Sequence, residues 1–200
     1  MEISIELVKD LRQRTGAGIV DCKAALQEAG GSIEAAIDYL RKKGLATAAK
    51  KAGRIATDGL VASYIHAGGK MGVLVEINCE TDFVAKTGDF HDFVKNMAMH
   101  IAAANPQFIR REDVPPEVLE KEKDIYRTQA VDSGKPAKVI DKIVEGKLEK
   151  FYQAVCLLEQ PFIKNPDVTI EDYLGDIACK LGENIVINRF VRFQLGKTTE

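Results

Sequence analysis

Tryptophan is absent, histidine occurs three times, and the four cysteines form no CxxC pair. Each shortage excludes something. Without paired cysteines there is no zinc ribbon or thioredoxin-like redox motif. Cys22, Cys79, Cys156 and Cys179 sit far apart among apolar neighbours, which reads as free packing thiols in a reducing compartment rather than disulfides. His66, His91 and His100 have no nucleophile or metal-ligand spacing around them. His91 and His100 share a predicted helix but lie nine residues apart, which is wrong for a metal pair. No run of about 18 uncharged apolar residues exists, so no membrane-spanning helix is expected. The first residues, MEISIELVKDLRQRTG, have no basic start followed by an apolar stretch and no transit-peptide composition, so a cytoplasmic location is expected. Positive charge is not in excess: 28 Lys and Arg face 30 Asp and Glu, for a net charge of −2, which argues against wholesale nucleic-acid binding. The glycine turn Thr15-Gly16-Ala17-Gly18 follows a helix and lacks the Lys-Ser/Thr of a phosphate loop. Acidic pairs such as Glu112-Asp113 and Glu171-Asp172 fall at helix starts, where capping explains them. No catalytic site, metal or cofactor is expected, and the chain reads as something other than an enzyme.

What is present is an ordered change of period. Residues 1–44 predict three short helices. Ser4 caps the first, which carries Leu7, Val8 and Leu11 on one face. The glycine turn stops it, and Ile19, Cys22, Leu26 and Ala29 recur at helical spacing. Gly30-Gly31 ends the second helix, and Ser32 opens a third with Ile33, Ala36, Ile37 and Leu40 inward. Residues 45–55, rich in Ala and Lys, read as a linker or a solvated helix. From Asp58 the period becomes alternating. Leu60–His66 and Met71–Asn78 flank Ala67-Gly68-Gly69-Lys70, a hairpin signal. Phe83–Ala104 reads as one helix with Phe90, Phe93, Val94, Met97 and Ile101 inward. Pro115-Pro116 opens a helical hairpin over residues 116–158. Its second arm, Ala137–Leu158, carries the seam Ile140, Val144, Leu148, Phe151, Val155 and Leu158. Thr169 and Asp172 mark a further helix start. The odd positions of Ile185–Leu195 are apolar except Arg189, which reads as a third antiparallel strand with one face on the helices. The fold class is α+β: a three-helix module, then a core of residues 56–200 built from a three-stranded antiparallel sheet packed on helices, with a helical hairpin.

The most informative stretch is Glu76–Lys86, EINCETDFVAK. The alternating run Val73, Val75, Ile77 ends in a polar corner where Asp82 and Phe83 stand side by side. Two readings are open. Thr81 and Asp82 can be helix caps and Phe83 a core staple. Alternatively, an acid and a ring on a strand-to-helix corner form a wedge, the ring entering an apolar slot of a partner and the carboxylate disturbing a cation or phosphate site there. The basic runs Arg41-Lys42-Lys43 and Lys50-Lys51 suit a solvated helix end better than an RNA contact.

Leu11–Leu26, LRQRTGAGIVDCKAAL, resembles the first signature of bacterial elongation factor Ts, and Glu76–Lys86 resembles the second. Met99–Ile109 and Ser133–Phe151 are also similar to that family, so the resemblance covers essentially the whole chain in order. It implies an exchange factor that releases GDP from elongation factor Tu. It also implies that residues 1–44 form a ubiquitin-associated-like module docking that GTPase, with Leu11, Arg12, Gly16, Gly18 and Ile19 matching the docking signature. Thr81, Asp82, Phe83 and Val84 match the tetrapeptide that displaces Mg²⁺ from the partner, the ring of Phe83 wedging into it and Asp82 acting beside it. Long members carry two related halves in the core. This chain carries one, like the short form, which implies a homodimer and a two-to-two complex with elongation factor Tu. The competing reading is a helical adaptor that uses residues 1–44 to hold a partner protein without exchange.

Overall fold

Short glycine and serine signals set the first three helices of the structure, a computed structural model that describes residues 3–51 and 53–197. α1 (Ile5–Thr15) begins at Ser4, whose side chain accepts the Leu7 N–H at 3.3 Å. It ends at Gly16, whose φ of 68° is a left-handed closure that favours glycine. α2 (Ile19–Glu28) and α3 (Ile33–Lys51) follow, with the Ser32 hydroxyl accepting the Ala35 N–H. Leu11, Cys22, Ala25, Leu26, Ala36 and Leu40 form their shared core, and Ile3, Leu7, Val8, Ile33 and Ile37 pack against it. Of the two readings of the Ala/Lys-rich stretch, helix holds as far as Lys51. Ala and Lys are strong helix formers.

The chain divides into two compact units, residues 1–99 with 171–200, and residues 100–170. The first unit contains the three helices and a sheet of β1 (Asp58–Ile65), β2 (Met71–Cys79) and β5 (Val186–Gln194), ordered β1-β2-β5 and antiparallel throughout. The Gly68-Gly69 turn closes the β1–β2 hairpin, with His66 and Met71 joined at 2.9 Å. Gly59 pairs with Asn78 at φ 137°, and a Cβ there would lie 2.2 Å from the Ile77 carbonyl oxygen. Only glycine fits that approach.

On the inner face Val73, Val75, Ile77 and Cys79 are buried. Leu60, Ala62 and Tyr64 share a crevice with Val94 and Ala98 of α5 (Gly88–Ala104). α8 (Ile170–Leu181) packs beside α5 through Phe93 and Tyr173, edge-on at 5.1 Å, and through Asn96 donating to the Tyr173 hydroxyl at 2.9 Å.

Two expectations for this unit are corrected. Phe83–Ala104 is not one helix: α4 (Asp82–Ala85) ends before Lys86-Thr87, and α5 begins at Gly88. The odd row of β5 does not all face inward. A bulge at Asn188 lets Arg189 pair with Glu76 while Ile187 pairs with Ile77. The alternation flips there. Ile187 is buried, whereas Val191, Phe193 and Leu195 lie on the exposed face.

The second unit is a helical hairpin, α6 (Pro116–Asp132) and α7 (Ala137–Val155), joined through Ser133-Gly134. Arg127 reaches Asp141 at 2.8 Å and Lys147 donates to Gln129 at 2.6 Å across the arms. At the base Val114, Val155 and Cys156 are buried among Phe108, Val118, Leu119, Phe151 and Tyr152. Arg111 binds Glu149 and Glu159 and lies 4.5 Å from the centre of the Tyr152 ring. α7 stops at Val155 rather than Leu158. Cys156 turns extended and bridges Phe108, and the Leu157 and Leu158 N–H groups donate to Phe108 and Ile109 instead of continuing the helix. A small hairpin of β3 (Pro161–Phe162) and β4 (Asn165–Thr169), unforeseen because each strand carries a proline, completes the unit.

Candidate functional site

The corner at the end of β2 is built from four kinds of anchor. Cys79 is buried, and burial pushes its thiol up to about 11, so it stays a neutral donor to the Thr81 carbonyl at 3.2 Å. Thr81 is the N-cap of α4: its hydroxyl accepts the Val84 N–H at 3.4 Å. Val84 and Ala85 point inward and are buried. Asp82 opens the helix, where an acid suits the positive dipole end, and Lys86 one turn on meets it at 2.6 Å. Hydrogen bonding to that ammonium holds the Asp82 carboxyl below its ordinary range.

Phe83 has no such anchor. It is 80% exposed, while Asp82 is tied to Lys86 and Val84 is buried. The core-staple reading of Phe83 is therefore excluded, and the capping role belongs to Thr81 rather than to Asp82.

The second candidate group lies at the α1–α2 junction. Arg12, Gly16, Gly18 and Ile19 are exposed around one turn, with Gly18 as the residue before α2. Val20, also exposed, extends that surface. Leu11 is different: it is fully buried in the three-helix core. It supports the turn from beneath and presents nothing to a partner.

Sequence reasoning missed Glu183. Its carboxylate accepts the Glu80 and Thr81 N–H groups at 3.0 Å each and the Thr81 hydroxyl at 2.6 Å. No local spacing signals a partner 102 residues away in the chain. The nearest hint is its place in a turn just after Gly182, between α8 and β5. Among the described residues no group of three His, Cys, Asp or Glu side chains could hold a metal, and no helix is long and apolar enough to cross a membrane. The cysteines are free thiols, three of them buried.

The described residues thus define an α+β fold that carries a fixed corner with one bare ring. Comparison with known proteins gives the family. The family model described as "Elongation factor TS" matches residues 11–197. The chain is 65% identical over 195 residues to elongation factor Ts of Carboxydothermus hydrogenoformans, covering 98% of this chain and 90% of that one. It is 64% identical over 198 residues to elongation factor Ts of Caldanaerobacter subterraneus, covering 99% of each. It is 60% identical over 200 residues to elongation factor Ts of Geotalea daltonii, covering 100% of this chain and 93% of that one. The chain belongs to the elongation factor Ts family, and its role is that of a translation elongation factor.

Proposed function

We propose that this chain is a guanine-nucleotide exchange factor that binds elongation factor Tu·GDP in the cytoplasm, displaces Mg²⁺ and promotes GDP release, without bond chemistry of its own. The observation that carries this is the bare Phe83 ring on a corner whose other residues are pinned. The four-residue stretch Thr81, Asp82, Phe83 and Val84 acts as the wedge. The exposed residues Arg12, Gly16, Gly18 and Ile19, held by Leu11 beneath them, dock the module of residues 1–44 on the GTPase.

The magnitudes are consistent. Coupling between two ligands is reciprocal, so a factor that loosens GDP must itself bind the nucleotide-free GTPase more tightly. A thousand-fold faster release needs about 4 kcal/mol off the barrier. Burying one Phe is worth about 1.5–3 kcal/mol, and disturbing one Mg²⁺ contact at the β-phosphate supplies the remainder. Release of a fluorescent GDP from elongation factor Tu, with and without the chain, tests the proposal. Wild type is expected to accelerate release, and Phe83→Ala to lose roughly 10- to 100-fold of that acceleration. No acceleration by wild type would end the exchange reading.

The active species is proposed to be a homodimer forming a two-to-two complex. Val61, Ile65, Leu74, Val191, Phe193 and Leu195 leave the outer sheet face apolar and exposed. Ile65, Leu74, Phe193 and Leu195 border one shallow depression there. An apolar face of this extent favours burial, and a two-fold pairing with a second copy is the commonest way to achieve it. Light scattering at micromolar concentration should give twice the 22.0 kDa of one chain, and Leu74→Glu should return the monomer mass. A wild-type monomer with full exchange activity would remove the dimer.

A further inference from the structure

The corner that presents Phe83 is held by a turn about a hundred residues further along the chain. α4 has four residues, too few to keep its own geometry in water. Besides its local anchors, the residues that lead into it, Glu80 and Thr81, are bonded by Glu183 and Asn184. Glu183 Oε2 accepts the N–H groups of Glu80 and Thr81, and Glu183 Oε1 accepts the Thr81 hydroxyl. With its proton committed to Glu183, the Thr81 hydroxyl can offer only lone pairs to the Val84 N–H. The carboxylate thus sets the direction of the cap as well as its place.

The exchange is mutual. Glu80 Oε1 accepts the Asn184 N–H at 2.6 Å, and Arg54 approaches the same oxygen at 3.6 Å. The turn also reaches the end of α3: Lys51 donates to the Gly182 carbonyl at 2.6 Å, and the buried Asn184 side chain donates to the Arg54 carbonyl at 2.8 Å. One short turn therefore ties both the Phe83 corner and the chain leaving the three-helix module.

We propose that Glu183 is a positioning residue for Phe83: by clamping Glu80 and Thr81 it fixes the direction in which the ring leaves the fold, and so how productively the ring enters the partner. This rests on the exchange reading of Phe83. A ring already aimed loses less conformational freedom on entry than one that must be ordered during it, and small misplacements of a working group are costly. Glu183→Ala keeps the docking surface of α1 and α2. It should therefore lower the release rate at saturating factor and leave the half-saturating concentration nearly unchanged. Glu183→Gln keeps one acceptor oxygen and should fall between wild type and Glu183→Ala.

The test is a double-mutant cycle on fluorescent-GDP release from elongation factor Tu, with thermal melting of each variant and a fluorine label on Phe83 in the free protein. Glu183→Ala is expected to lower the saturating rate about tenfold in the wild-type background, to change it less than about twofold in the Phe83→Ala background, and to alter the fluorine line of Phe83. The same fold-loss in both backgrounds, or a change confined to half-saturation, would show that Glu183 acts through general stability or docking and overturn the proposal. An unchanged fluorine line would also overturn it, since that signal needs no partner. If wild type itself does not speed release, the exchange reading fails first, and the positioning role in exchange falls with it.

Discussion

Phe83 and Phe90 stand seven residues apart, which is two turns of an α-helix and therefore one face. Phe83 is nevertheless 80% exposed and Phe90 fully buried. The difference lies in the two residues between α4 and α5. The Thr87 hydroxyl donates to the Val84 carbonyl at 2.8 Å and accepts the Phe90 N–H at 3.3 Å. One threonine closes the first helix and opens the second. A single helix over Phe83–Ala104 would have placed Phe83 at the head of the buried stripe Phe90, Phe93, Val94, Met97 and Ile101. The break turns a ring with core spacing into a ring aimed at solvent. A residue's periodicity assigns its face only within an unbroken element.

The largest effect that can break this contrast is a pair of truncations. Phe90→Ala should cost about 3–5 kcal/mol of stability, as for other fully buried aromatics. Phe83→Ala should stay within about 0.5 kcal/mol, because an exposed ring leaves no cavity. Urea unfolding of both variants measures this. Equal losses would mean that Phe83 belongs to the core after all.

Further along α5 the same helix buries a titratable group. His100 is fully buried, bonds Gln160 at 2.9 Å through Nε2, and accepts the Ile163 N–H at 3.4 Å through Nδ1. Burial is the main cause pushing its pKa below the usual 6.5. The folded state therefore disfavours the proton that the unfolded chain accepts. Its stabilising contribution is complete above pH 6.5 and is lost as the pH falls below that value, by at most about 1.4 kcal/mol per pH unit for one group. Melting curves between pH 7.5 and pH 5 should show this fall, with a flatter profile in His100→Gln. A profile unchanged by that substitution would assign the acid sensitivity elsewhere.

Thr87→Ala acts on the break itself. It removes both hydroxyl bonds and should cost about 1 kcal/mol, the usual worth of a cap. It should also lower exchange, since α4 and α5 would be freer to merge and draw Phe83 toward the stripe. A loss of stability with exchange unaffected would show that the remaining anchors suffice to present the ring.

Much of the fold was legible before the structure. The three N-terminal helices, the glycine hairpin and the antiparallel β5 all follow from local spacing, because caps and turns are local chemistry. Besides the early end of α7 and the β3–β4 hairpin, three things were not. The split at Thr87 was hidden because threonine is common inside helices and Gly88 alone is a weak stop. The flip of β5 was hidden because a bulge at Asn188 adds one residue without any apolar signature, so the row through Arg189 looked merely interrupted. The clamp by Glu183 was hidden because its partners, Glu80 and Thr81, are distant in sequence. For the candidate site, EINCETDFVAK marked Phe83 but left it between core staple and exposed wedge, a choice its 80% exposure makes, and the support that holds the corner gave no signal.

Asp82 sharpens the comparison most finely, because it adjoins Phe83 and is equally outside the core. In the free protein its carboxylate meets Lys86 at 2.6 Å on the first turn of α4. An exposed pair of this kind adds little stability, so Asp82→Ala should leave the melting temperature nearly unchanged. Its expected effect on exchange is also the smallest, roughly threefold, as for other exposed charge contacts. On the proposed exchange reading the ring fills space and should act whatever the metal concentration, whereas the acid would disturb a bound cation, whose charge dominates its surroundings only when it is present. The Asp82→Ala loss should therefore shrink when Mg²⁺ is chelated, while the Phe83→Ala loss persists. Release assays at millimolar Mg²⁺ and in chelator separate the two. An Asp82→Ala loss of the same size under both conditions would reduce Asp82 to a helix-start residue and leave the wedge to Phe83 alone.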